Sequence, residues 1–272
     1  MAEAPATQVE TVAALLERSG RDALPLRRSF VQVRQRGGGA GPLAAFVHER
    51  RGMALDLYLL SRAVASQEPF DVALPADVWA RALGLGGAAG AGSTISKSWS
   101  WLEQQQLVVS SKRGRLREIR FLREDGSGRP YRHPGRDEDQ RGDYFKVPYS
   151  YWEGSYPGRL GLPAKAVLLI ALSLGEDFRL PTERGARWYG LSRDTVSRGL
   201  STLLRLGLLD VRIGYKKAPL APRGITQERH YMLRAPFGPG FSRQSGIGAG
   251  VAAARRRARE SGSPAERDND AG

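Results

Sequence analysis

The sequence predicts a mainly α chain with small β-hairpins, an α+β protein in which one domain plan occurs twice. Three observations carry this expectation: an internal repeat near 100 residues, apolar residues spaced by three and four, and paired β-rich runs ending each copy. The repeat is visible by eye. LPADVWARALGL (74–85) and LPTERGARWYGL (180–191) share Leu-Pro at the start and Ala-Arg-x-x-Gly-Leu at the end, at an offset of 106. Downstream, Thr94, Ile95, Ser96, Lys97, Leu102 and Leu107 answer to Thr195, Val196, Ser197, Arg198, Leu203 and Leu208, at an offset of 101. The five residues lost between the two offsets fall in a glycine-rich stretch. A period this long is not that of a solenoid and reads as a duplicated domain.

The elements follow in order. Residues 1–51 form an N-terminal extension, in which TQVETVAALLERSG suggests a short amphipathic helix and SFVQVRQ a strand. This extension would pad the first domain or make the contact of a homodimer. The first domain, 52–123, opens with an apolar helix (53–66) and an extended piece (70–74). Pro75 then stands at a first helical position, where its missing N–H is no loss. The third helix points Ile95, Trp99 and Leu102 inward, and a hairpin (107–122) turns around Lys112-Arg113-Gly114-Arg115. Residues 124–143, polar and rich in Gly and Pro, read as a linker.

The second domain, 144–237, repeats the plan. It has an apolar helix at 163–174, an extended piece at 177–180 and Pro181 opening the next helix. Ser192 suits the N-cap of the third helix, Val196, Leu200 and Leu203 its inner face, and Gly207 its left-handed C-terminal close. Two β-rich runs, 208–215 and 228–234, flank a longer Lys/Pro-rich loop. From 238 to 272 the chain is rich in Gly, Ser and Arg, including Arg255, Arg256 and Arg257, and is expected to be a disordered basic tail.

The stretch GGAAGAGST (86–94) invites a nucleotide-binding reading, because Gly87-x4-Gly92-Ser93-Thr94 approaches the phosphate-loop spacing. Position 93 is Ser where the lysine of that loop would stand, and a helix rather than a strand precedes it. The stretch therefore reads as a lengthened turn between two helices.

Composition narrows the function classes. The chain has 272 residues, a net charge of +14 and no cysteine, which excludes disulfides, thiolate metal sites and a cysteine nucleophile. Its longest apolar run, 166–174, is far short of the ~20 residues a membrane span needs, so no membrane partner is expected. The start lacks a signal pattern, and a cytoplasmic location is expected. His48, His133 and His230 lack metal-like spacing, and no nucleophile–base pattern argues for catalysis. A non-enzymatic protein with no cofactor and no metal is expected. Charge placement points further. Residues 93–123 hold seven basic and two acidic side chains, and residues 192–229 hold eight and three, so these two regions carry ten of the fourteen net charges. The expected linker holds four basic and six acidic residues. Clustering of this kind is what a phosphate backbone rewards through counterion release.

Helix, strand, helix, turn, helix, hairpin is the order of the winged helix-turn-helix fold, and both halves resemble that superfamily. Ser192 to Arg198, Ser-x-x-Thr-Val-Ser-Arg, is similar to the start of the recognition helix in bacterial regulators of this kind, and two such domains in one chain resemble some plasmid replication initiators. The resemblance implies two winged helix-turn-helix domains in tandem, with double-stranded DNA as partner and each third helix in the major groove. The residues so implied are Arg193, Asp194, Ser197, Arg198, Ser201 and Arg205 on the second copy's helix, and Ser96, Lys97, Ser100 and Gln104 on the first. Arg198 is the candidate for bidentate guanine readout. The wings would offer Lys112, Arg113, Arg115 and Arg117, and Lys216, Lys217 and Arg223, to phosphates. A charged hairpin that merely blunts a sheet edge is the alternative. A sequence-specific transcriptional regulator is the first functional expectation, a replication initiator the second, and a winged-helix adaptor for an acidic protein the third.

Overall fold

The computed structural model describes residues 4–33, 39–135 and 143–238. The expected tail, beyond Gly238, and residues 136–142 of the expected linker lie outside the described residues.

The N-terminal segment opens with α1 (Gln8–Glu17) on a capping box: Thr7 Oγ1 accepts the Glu10 N–H, and the Glu10 carboxylate accepts the Thr7 N–H. Strand β1 (Ala23–Arg27) is buried throughout. SFVQVRQ, expected as a strand, begins instead inside a 3-10 turn, Arg28–Phe30, and its last two residues lie outside the described set. The turn swings Phe30 into the core, with ring centroids 5.9 Å from Phe46 and 5.5 Å from Tyr58. Burial of that one ring overrides the local alternation. Helix α2 (Leu43–His48) follows.

Two series then run in the same order. The first is α3 (Gly52–Val64), β2 (Asp71–Ala73), α4 (Ala76–Ala82), α5 (Ala91–Gln104), β3 (Val108–Arg113) and β4 (Leu116–Phe121). Between the series stand β5 (Tyr144–Pro148), α6 (Ser150–Glu153) and α7 (Tyr156–Arg159). The second series is α8 (Leu162–Leu174), β6 (Asp177–Phe178), α9 (Gly185–Tyr189), α10 (Arg193–Arg205), β7 (Leu209–Lys217) and β8 (Ile225–Leu233). Pro75 caps α4 from outside rather than holding its first helical position, and Pro181 introduces a 3-10 turn, Thr182–Arg184, before α9.

The expectation of a mainly α chain with winged helix-turn-helix domains in tandem is corrected. The described residues are α+β, 43% helix and 22% strand, with three small antiparallel sheets ordered β1–β5, β2–β4–β3 and β6–β8–β7. The first sheet has no place in a tandem plan. It pairs the N-terminal segment with the chain just past residue 143, from Ala23 opposite Pro148 to Arg27 opposite Tyr144. A single core runs from Leu15 to Phe237, and the described residues pack as one unit. Comparing the two copies reveals only elements that have a counterpart, and β1 and β5 have none.

Segment 124–143, expected as a linker, sends Glu124 and Tyr131 into the core. Arg27 Nη1 lies 2.6 Å from one Glu124 oxygen and Arg62 Nη2 3.6 Å from the other, all three side chains being fully buried. The Arg62 guanidinium sits 3.7 Å from the centroid of the Tyr131 ring. A second buried ion pair, Lys165 Nζ to Asp56 Oδ2 at 2.5 Å, joins α8 to α3. Desolvation pushes the Asp56 carboxyl up to about 6 despite the neighbouring ammonium.

Candidate nucleic-acid interface

Helix α10 is built as its sequence period requires. Ser192 Oγ accepts the Thr195 N–H at 3.1 Å, closing the N-terminus. Val196, Leu200 and Leu203 are buried. Gly199 lets the helix approach α8 so closely that an added Cβ would stand 2.4 Å from Val167 Cγ2. The outer face carries Arg193, Asp194, Ser197, Arg198, Ser201 and Arg205, all exposed. Arg198 Nη2 is 2.8 Å from Asp194 Oδ2, and Arg193 Nη2 is 3.9 Å from Glu183 Oε1. Exposed pairs of this kind contribute about 0–1 kcal/mol, so a competing anion displaces them at small cost.

In α5 the corresponding residues Ser96, Lys97, Ser100 and Gln104 are exposed, while Ile95, Trp99 and Leu102 are buried. The helix begins just after Gly90, which holds φ +78 at the end of the glycine-rich turn. Trp79 and Trp99 pack edge to face, and Trp101 Nε1 donates to Glu49 at 2.6 Å, so these three indoles serve the core.

The two hairpins differ. On β3–β4, Lys112, Arg113 and Arg115 are exposed around Gly114. Arg113 reaches Glu118 at 3.4 Å, whereas Lys112 and Arg115 extend into solvent. Arg117 is held otherwise: its Nη2 lies 2.6 Å from Glu103 Oε2 on α5, and Glu103 also accepts the Ser110 N–H. Arg117 therefore braces the hairpin against the helix. On the second hairpin the strands run further than the sequence suggests, so Lys216 and Lys217 lie within β7. The loop shrinks to residues 218–224, closed by Ala218 N–H donating to Gly224 O at 2.8 Å. Arg223 is exposed in that turn.

Among further exposed arginines that sequence reasoning passed over are Arg120 on β4, Arg187 on α9 and Arg229 on β8. Two-residue alternation along the strands would have found Arg120 and Arg229. Among the described residues no helix is long and apolar enough to cross a membrane. No family model, curated protein or solved structure matches this chain.

Proposed function

We propose that this chain binds double-stranded DNA in a sequence-specific way and acts as a transcriptional regulator. The supporting observation is α10: its inner face is closed by α8, while its capped N-terminus and the row Ser197, Arg198, Ser201 and Arg205 are open. A helix so presented matches the ~12 Å width of the major groove. Arg198 exchanges Asp194 for guanine O6 and N7. Lys112, Arg115, Lys216, Lys217 and Arg223 supply phosphate contacts that set register without reading sequence.

The test separates readout from backbone grip. Arg198→Ala should weaken binding to the selected site by about 1–3 kcal/mol while leaving random DNA nearly unaffected. Replacing Lys112 and Arg115 with Ala should weaken both alike and flatten the salt dependence by up to ~0.9 for each phosphate no longer neutralised. Equal losses on both DNAs for Arg198→Ala would make that residue a phosphate contact, and no salt-dependent binding at all would sink the reading. Genome-wide mapping then distinguishes sites beside promoters from repeated copies at an origin, the latter favouring a replication initiator.

A further inference from the structure

The order β6–β8–β7 leaves β7 as an edge strand. Its register settles which backbone groups face outward. Arg234 N–H donates to Leu208 O at 3.0 Å and Ala218 N–H to Gly224 O at 2.8 Å, so the even-numbered residues of this hairpin exchange hydrogen bonds. The odd-numbered N–H and C=O groups, at Val211, Ile213 and Tyr215, point away from β8. Among the described residues no backbone partner meets them.

The side chains at the same three positions are also uncovered, at 42%, 52% and 72% exposure. They continue the sheet face whose base, Leu209, Tyr231 and Leu233, is buried. The apolar face of the hairpin thus overruns the core that should cover it. An apolar stripe beside a row of unpaired backbone groups is a template for another strand.

We propose that the strand it takes is β7 of a second copy of this chain, antiparallel about a twofold axis at Ile213. Ile213 is the midpoint of the nine-residue strand, so this register pairs all of β7. It sets Val211 opposite Tyr215 of the second copy and Ile213 opposite itself, joining the apolar stripes on one face. On the other face Asp210 meets Lys216 of the second copy, and Arg212, already held 3.2 Å from Asp177, meets Gly214. No two like charges stand directly opposite, and the two three-stranded sheets become one of six strands. The pairing does not depend on the proposed DNA contact.

The chain has no cysteine, so a single introduced thiol reports cleanly. By sedimentation without DNA, the intact chain should be a dimer that dissociates on dilution. Ile213→Cys should crosslink to itself with a short bis-thiol reagent, since facing residues of such a pair lie about 5.5 Å apart. Val109→Cys, on edge strand β3 of the β2–β4–β3 sheet, should not. Lys216→Asp places like charges opposite each other twice per interface and should raise the dimer dissociation constant by about tenfold. A chain monomeric up to its solubility limit overturns the proposal, as does a dimer that Ile213→Cys fails to trap. A chain that dimerises only after truncation at Gly238 would show that its own tail occupies the edge, which also overturns it.

Discussion

Gly199→Ala should destabilise the protein, although helix propensity argues the opposite. Gly199 lies mid-helix in α10, where exchange of Gly for Ala ordinarily gains about 1 kcal/mol. Here the new methyl would stand 2.4 Å from Val167 Cγ2 and 2.6 Å from the Pro163 carbonyl oxygen. Apolar carbons rest at ~3.5–4.0 Å, so roughly an ångström of separation must be found. Val167 can yield part of it by changing rotamer. The Pro163 oxygen is backbone and moves only if α8 moves. Overpacking of this kind costs about 1–3 kcal/mol, and a backbone partner argues for the upper half of that range. The net expectation is a loss of about 1–2 kcal/mol, or roughly 2–8 °C in Tm for a chain of this size. Urea and thermal denaturation followed by circular dichroism measure it. Adding Val167→Ala should recover part of the loss, because only the carbonyl clash then remains. A Gly199→Ala protein as stable as the parent would show that α8 and α10 are not in the close contact described.

Two further outcomes follow from single residues. Gln106 holds φ +55 at the end of α5, where the repeat places Gly207 at φ +69 after α10. Both ends close alike, Leu107 N–H reaching Leu102 O and Leu208 N–H reaching Leu203 O, so Gln106→Gly should stabilise by about 1 kcal/mol, and a loss of stability would refute the strain. Asp56 titrates near 6 in the fold against 3.8 unperturbed, so between those values the folded state holds the extra proton. Stability should therefore fall as pH rises through that window, by roughly 3 kcal/mol at about 1.4 kcal/mol per unit; Asp56→Asn should flatten that portion of the profile, and an unchanged slope would count against it.

How much of this was legible in the sequence depended on the range of the forces involved. Helix α10 was readable because Ser192, Val196, Leu200 and Leu203 obey rules that act within one turn. The repeat exposed the shared order of helices and hairpins for the same local reason. Gly199 was not readable, since nothing near it in sequence says that Val167 and Pro163 will press against it. Glu124 sat in a polar, Gly/Pro-rich stretch whose composition suggests solvent. Its partner Arg27 is 97 residues away, and only their meeting makes burial affordable. Strand β1 hides for a similar reason: it contains Pro25, and its partner β5 lies beyond two hairpin strands and the polar segment. Outward faces were legible on helices, where the period is strong. Arg117 was not, because a brace to Glu103 and an open phosphate contact involve the same residue type at the same spacing.

The last expectation concerns whether the two series unfold separately. A polar linker would let each melt alone, whereas the shared core and the buried Lys165–Asp56 pair tie them together. Glu124 offers a way to tell. Glu124→Gln removes the carboxylate that the buried Arg27 and Arg62 share, and breaking a buried pair on one side costs about 3–5 kcal/mol. That damage is local to α3, β1 and the chain following β4. If the series were independent, amide exchange would accelerate in α5 and stay unchanged in α10. If the chain unfolds as one cooperative unit, the slowest-exchanging amides of both helices lose protection by the same free energy, because each opens only through global unfolding. Hydrogen exchange read by mass spectrometry on peptides from the two helices makes the comparison directly. Equal losses are expected here, and unchanged protection in α10 would restore independent domains. The outcome bears on the proposed interface, since in a single cooperative unit any destabilising change in the first series also removes α10 from its place.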